Sequence, residues 1–368
     1  MPTLSSPAVL TTSDDLPLRV ASPVHSGKVR SVYFLTPADS RRLIAERGYA
    51  IAPDSPLAVM VISDRLSAFD CLWEATSLAG VPGKGAALNA VAAHWFNCFA
   101  RKGLLAHHLL EMPHPMIWVV RQARPLMLEA IARRYLTGSL WRAYARGGRE
   151  TGGVVLPEGL ERYAHLPSLL FTPSTKGVVE GVPGVPAADD APVSPDIVAR
   201  YPSKFGLRSS QDLAHCEAAL RAGFECIESE LAAQGELLVD TKFEFGIAPK
   251  VGGGEELIYM DEVGTPDSSR IWQRQDWLAG SPKEHSKEQF REALLGWVPD
   301  ADVLLNPQRM SERADFAAKN PVPDTFFHAL SHTYRAQAER ITQRAMAEIE
   351  RPREAMLEVL HNSFSLLR

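Results

Sequence analysis

Residues 237–246 (LLVDTKFEFG) set an acid, a base and an acid at two-residue spacing: Asp240, Lys242 and Glu244. Successive side chains on a strand point to opposite faces. These three therefore share one face, and Val239, Thr241, Phe243 and Phe245 share the other. Three charges on one strand face are costly unless partners or a ligand offset them. Gly252, Gly253 and Gly254 supply a turn, and residues 257–263 read as the returning strand. Antiparallel pairing then brings Asp261 toward Glu244, and two such carboxylates suit a hard cation such as Mg2+. Taken alone, the pattern fits a solvated, salt-bridged sheet face equally well. Residues 265–270 (TPDSSR) follow, with Asp267 in a turn, two hydroxyls and Arg270. That mixture suits phosphate or carboxylate recognition, and it also suits an ordinary Asp-capped turn.

Other segments carry weaker signals of the same kind. Residues 26–30 (SGKVR) put Gly27 before Lys28 and Arg30, where a glycine lets main-chain amides approach an anion. Residues 80–85 (GVPGKG) include Lys84, but neither segment has the spacing of a phosphate loop, and each fits a surface turn. Residues 63–70 (SDRLSAFD) crowd Asp64, Arg65, Ser67 and Asp70 around Phe69, as a binding loop or a capped helix start would. Residues 133–139 (RRYLTGS) lead from Arg133 and Arg134 through Gly138 and Ser139 into a helix, an arrangement that binds anions. Residues 171–176 (FTPSTK) end in Lys176. His107, His108 and His114 lack metal-ligand spacing and read as structural.

Short strands must position these groups. Runs at 29–35, 57–63 and 116–120 read as strands, residues 86–99 and 211–234 as helices, and 37–53 as charged and irregular. Gly and Pro punctuate 147–159 and, most clearly, 177–195. From residue 324 a long helical pattern runs to an interruption at Pro352. Strand clusters followed by helices predict an α+β chain of at least two lobes. The 368 residues are 45% hydrophobic and carry a net charge of −5, which argues against nucleic acid or anionic lipid as partner. Four scattered cysteines predict no disulfide framework. Without an apolar span of membrane length or a leader peptide, the expectation is a cytoplasmic protein.

Taken in order, GKVR, SDRLSAFD, PGKG, RRYLTGS, FTPSTK, DTKFEFG (240–246) and DEVGTPDSSRIW (261–272) resemble the SAICAR synthase family, over roughly residues 25–275. The resemblance implies a two-lobed α+β fold related to ATP-grasp and kinase-like enzymes, with antiparallel sheets and nucleotide between the lobes. It implies a magnesium- and ATP-dependent ligase that joins the carboxylate of CAIR to the amine of L-aspartate, giving SAICAR, ADP and phosphate in purine biosynthesis. An acyl phosphate would be the intermediate. Carried over by motif, Gly27, Lys28 and Arg30 line the ATP phosphates, and Glu244 and Asp261 hold Mg2+. Arg133, Ser139 and Arg270 engage CAIR, and Asp240, Lys242 and Asp267 position the reacting groups. Ser67, Asp70, Lys84, Lys176 and Asp190 complete the substrate contacts.

The implied layout is a poorly ordered lead-in over 1–20, a β-rich ATP-binding lobe over 21–120 and a catalytic lobe over 121–280. A helical extension over 281–368 packs on the catalytic lobe, in a monomer or small homo-oligomer. The chain departs from the family in three places. The segment after Lys176 is long and Pro-rich, with Asp189 and Asp190 but no histidine. Arg134 stands where glycine is usual, and both 37–53 and the C-terminal helices look like additions. A kinase-like phosphotransferase with Asp240 as base, or a non-catalytic nucleotide-binding module, remains as an alternative.

Overall fold

The computed structural model describes residues 8–368, which fold as two compact units. The first comprises residues up to 93, 109–122 and 285–368; the second comprises 94–108 and 123–284. Both are built on antiparallel sheets with helices, so the fold class is α+β.

In the first unit β1 (His25–Ser26) and β2 (Arg30–Phe34) form a hairpin whose tip carries Gly27 and Lys28. Helix α1 (Pro37–Arg47) follows, where the sequence suggested irregular chain. Thr36 caps it by accepting from the Asp39 amide, Pro37 occupies its first turn, and Gly48 ends it in the left-handed region. Strand β3 (Leu57–Ile62) is buried along its whole length. Next come the small hairpin β4 (Leu66–Ala68) and β5 (Cys71–Trp73), helix α2 (Lys84–Arg101), β6 (Leu109–His114) and β7 (Ile117–Arg121). The five-stranded order is β1-β2-β3-β7-β6. The β4–β5 turn is unusual, because Phe69 (φ 51°) and Asp70 (φ 63°) are both left-handed without being glycine. Such a two-residue turn prefers Asn-Gly, and the substitutions cost about 1 kcal/mol or more each.

The second unit's sheet contains β8 (Arg124–Tyr135), β11 (His165–Phe171), β12 (Ser174–Thr175), β13 (Glu236–Pro249), β14 (Glu255–Met260) and β15 (Ser269–Gln273). Between β8 and β11 lie α3 (Gly138–Ala145) and the hairpin β9 (Glu150–Thr151) and β10 (Val154–Val155). Helices α4 (Pro195–Arg200) and α5 (Ser210–Ala232) precede β13, and α6 (Arg274–Leu278) follows β15. Strand β13 is the axis. It pairs with β8 on one side and, on the other, with β15 near its start and β14 near its end. Its apolar face packs on α5, where Gly223 is required because a Cβ there would come within 2.6 Å of the Phe243 ring.

The chain returns to the first unit with α7 (Lys287–Trp297), α8 (Asp302–Leu305), α9 (Met310–Lys319), α10 (Asp324–Thr342) and α11 (Pro352–Asn362). This corrects the expectation that 281–368 packs on the catalytic lobe. These helices bury Trp73 of β5 between Phe290 and Phe316, with ring centroids 6.3 and 6.5 Å away. Pro352 starts a new helix after an irregular link and does not break a continuous one.

The lead-in is also corrected. Its first seven residues lie outside the described residues, but the rest is packed. Leu10, Leu16 and Leu18 are buried, and Leu18 pairs with Leu367. The amides of Leu10 and Gly85 both donate to the Asp64 carboxylate, at 2.8 and 2.9 Å. Burial nonetheless pushes the Asp64 pKa up to about 6, these two amides and Lys84 pulling the other way. The folded value lies above the ordinary 3.8, so the native state keeps this proton longer than the unfolded chain. The group's contribution is therefore fullest below pH 4 and is lost as pH rises to about 6. Relative to Asp64→Asn, the wild type should lose up to about 3 kcal/mol between pH 4 and 7, read by urea denaturation. Parallel profiles would refute the assignment.

Candidate functional site

Two rows of charge cross the second unit's sheet. In the first, Asp240 of β13 lies opposite Arg133 of β8 and opposite Arg270 of β15. Arg270 Nη1 donates to Asp240 Oδ2 at 2.6 Å, and Arg133 Nη1 lies 3.6 Å from the same oxygen. All three side chains are largely buried. Arg133 Nε also donates to Thr172 Oγ1 at 2.9 Å. Burial lowers the Arg133 pKa, Asp240 opposes that, and Arg270 and Arg142 add to it. One carboxylate therefore aligns two guanidiniums, and the local charge stays positive.

The start of α3 meets this row. Gly138 is left-handed (φ 57°), and a Cβ there would sit 2.7 Å from Arg270 Nη2. Only glycine lets the guanidinium lie against this main chain. Exposed Ser139 follows in the first turn of the helix. Guanidiniums, hydroxyl and helix N-terminus together suit a phosphate.

In the second row Glu244 of β13 lies opposite Glu129 of β8. Lys242, one alternation earlier on β13, bonds to Glu129 and lies 3.2 Å from Glu244. Lys176 bonds to the other Glu244 oxygen, and Ser174 donates to Glu129 at 3.3 Å. Burial works against the Lys242 charge, but Glu129, Asp261 and Glu262 outweigh it and the pKa is raised. For Lys176 burial wins, reinforced by Lys242, and the pKa is lowered although Asp261 and Glu129 oppose it.

Asp261 begins the turn after β14 in the left-handed region (φ 57°), its carbonyl 3.2 Å from the His108 ring Nε2. The ladder pairs Glu244 with Met260, so Asp261 comes one residue past the expected position. It is near enough to favour the charged form of both lysines. Asp267 lies half-buried in the Thr265–Ser268 turn before β15.

The long loop after Lys176 folds back on its own base. Asp190 N donates to the Thr175 carbonyl, Ala191 O accepts from Thr175 N, and Asp189 Oδ1 accepts from the Gly177 amide at 2.6 Å. Asp190 (φ 54°) thereby returns beside Glu129. The protein packed around it, then the Glu129 and Asp189 charges, push its pKa up to about 7.

The remaining sequence-predicted residues lie in the first unit. Gly27 sits at the β1–β2 tip, its carbonyl accepting from Arg65 Nη2 at 3.1 Å. Lys28 Nζ is 2.7 Å from Asp70 Oδ1, and Arg30 lies over the Trp118 ring at 6.0 Å. Ser67 is half-buried on β4. Lys84 is fully buried, with Nζ 5.7 Å from the Tyr334 ring centroid.

Glu129 escaped the sequence reading, although it shares a strand face with Ile131 and Arg133 and so was detectable by alternation. Arg134, which replaces a customary glycine, points to the opposite face. There it forms a two-pronged bond with Glu228 of α5 (3.0 and 3.1 Å) and lies 5.4 Å from the Phe224 ring centroid. Arg134→Ala should cost about 1 kcal/mol of stability and leave kcat and KM unchanged. A kinetic defect without a change in Tm would reverse that assignment.

An anion cradle beside a buried lysine–carboxylate array defines a phosphate-handling transferase or ligase in which charge neutralisation carries the chemistry. The comparisons narrow the class. The sequence model of SAICAR synthetase matches residues 23–302. Phosphoribosylaminoimidazole-succinocarboxamide synthases of Vibrio vulnificus and Vibrio cholerae are 52% and 53% identical over 360 and 361 residues, covering 98% of each chain. A SAICAR synthase of Saccharomyces cerevisiae in complex with SAICAR superposes with TM-score 0.64 at 23% identity, covering 92% of this chain and 100% of that one. A SAICAR synthetase in complex with ADP gives TM-score 0.56 at 19% identity, covering 88% and 99%. This chain belongs to the SAICAR synthetase family.

Proposed function

We propose that this chain joins the carboxylate of CAIR to the amine of L-aspartate at the expense of ATP, releasing SAICAR, ADP and phosphate. The observation that carries the reading is the 52% identity over 98% of both chains with a synthase of that name. The two charge rows supply residues for the parts of the reaction.

The Arg133–Asp240–Arg270 row, with Gly138 and Ser139, binds the ribose phosphate of CAIR. Lys242 and Lys176 stand beside it as cations facing the transferred phosphoryl group. Glu129, Glu244, Asp190 and Asp261 outnumber those lysines; burial first, and then the Glu129 and Asp189 charges, raise the Asp190 pKa, so added positive charge would be welcome here. That donor set fits Mg2+, which takes one or two carboxylates together with phosphate oxygens. Held by Glu244 and Asp261, the ion supplies neutralisation of the nucleotide's phosphate charge. In the first unit, Lys28 and Arg30 at the glycine hairpin meet the ATP phosphates.

The CAIR carboxylate attacks the γ-phosphorus as the bond to ADP breaks. The aspartate amine then attacks the acyl carbon, and phosphate departs with the C–O electron pair while the amine loses a proton. Positioning and electrostatics suffice, so no covalent enzyme intermediate is required. ATP and aspartate are cytoplasmic metabolites, and among the described residues no helix is long and apolar enough to cross a membrane. Cytoplasmic location is part of the proposal.

A coupled ADP-release assay tests it. ADP should form only when CAIR and L-aspartate are both present, with one SAICAR per ADP. A phosphorylated product without aspartate incorporation would replace the ligase by a phosphotransferase.

A further inference from the structure

Arg313 of α9 lies outside both charge rows and the glycine hairpin, and it is 4% exposed. Its guanidinium spends its fork on main-chain carbonyls. Nε donates to Val303 O at 3.0 Å, Nη2 to Asn306 O at 2.9 Å and Nη1 to Phe69 O at 3.0 Å. The first two acceptors belong to the end of α8, and the third is the left-handed residue of the β4–β5 turn. The next residue, Asp70, is also left-handed, and its carboxylate holds Lys28 at 2.7 Å. A continuous chain of contacts thus runs from α9 through a turn with unfavourable residues to the lysine at the glycine hairpin. A buried guanidinium has a fixed, planar donor geometry, which suits it to hold a main-chain conformation that its residues do not favour.

We infer that Arg313 is a positioning residue of the nucleotide subsite, fixing the Phe69–Asp70 turn and, through Asp70, the placement of Lys28. The inference rests on the reading that Lys28 meets the nucleotide phosphates, and it gives the C-terminal helices a role in that subsite. The Lys28–Asp70 pair is about half exposed, so it guides the ammonium without trapping it, and a phosphate competes for it readily. Losing Arg313 frees the turn to relax, and Lys28 is then presented from a spread of positions.

Binding of Mg·ADP to the full chain by calorimetry, with steady-state rates, tests this. Arg313→Met should weaken Mg·ADP about tenfold and Arg313→Lys about threefold, with KM for Mg·ATP following and kcat and the KM for CAIR within about twofold. Asparagine tolerates the left-handed region, so Phe69→Asn should restore most of the affinity in the Arg313→Met background. A purely structural arginine would not give that selective rescue. Unchanged Mg·ADP affinity in Arg313→Met, an equal weakening of all substrates, or failure of the rescue would each overturn the inference. If Arg313→Met does not fold, Arg313→Lys with and without Phe69→Asn decides by the same criteria. Wild-type chain that binds Mg·ADP yet forms no SAICAR would sink the ligase reading alone, and absence of Mg·ADP binding would sink the inference itself.

Discussion

Asp240→Asn should raise the KM for CAIR about a hundredfold and destabilise the protein by about 3 kcal/mol, although the change removes only one charge. Asp240 is 5% exposed and lies between Arg133 and Arg270 on neighbouring strands. With a neutral amide there, two largely buried guanidiniums face each other without the anion that aligns them. Breaking a buried pair on one side leaves the other charge uncompensated, which is where most of the cost arises. The two arginines would separate, and the phosphate cradle would lose its shape before losing its charge. Steady-state kinetics and urea denaturation read both effects. Wild-type KM with lowered kcat would instead make Asp240 a participant in the chemical step. A bound phosphate partly replaces the missing carboxylate, so inorganic phosphate should stabilise Asp240→Asn more than it stabilises the wild type.

Glu244→Gln should lower kcat by two to three orders of magnitude and raise the Mg2+ concentration for half-maximal rate about tenfold or more. The residue is 4% exposed and accepts from both Lys176 and Lys242. Glutamine keeps the shape and removes the charge. Lys176 already has a lowered pKa through burial, so it should fall further once its nearest anion is gone. Titrating Mg2+ at saturating substrates separates the two consequences. An unchanged half-saturating Mg2+ concentration would remove Glu244 from the metal site and leave it as a partner of the lysines.

The rows were half legible in the sequence, for a specific reason. Alternation along β13 puts Asp240, Lys242 and Glu244 on one face from spacing alone, and the ladder with β8 is regular between them. Register irregularities fall on either side, between 238 and 240 against β15 and between 244 and 246 against β8. Which residues stand opposite depends on pairing, and pairing is set by the sheet as a whole. Arg133 and Arg270 therefore appeared as separate anion signals, and Glu129 did not appear at all. Lys84 shows another limit, since its motif fits a surface turn but its surroundings bury it against Tyr334. Helix α1 was missed although Thr36, Pro37 and Gly48 are its start and stop signals, because its charged surface concealed a short apolar stripe at Leu43 and Ile44. The loop over 177–195 was plain from its Gly and Pro content. Its return path to Asp190 was not, because hydrogen bonds to Thr175 determine it.

The row joins Arg133 to Asp240 and Arg270, both more than about a hundred positions further along the chain, and that separation bears on folding as well as on binding. Loop-closure entropy opposes such pairings until much of the sheet has formed. A nascent or partly unfolded chain therefore has no cradle, and affinity for a phosphorylated substrate arrives late and all at once. Ligand capture would then act as a checkpoint on folding of the second unit: chains that reach the completed β8–β13–β15 arrangement are held there by mass action, and the others are not.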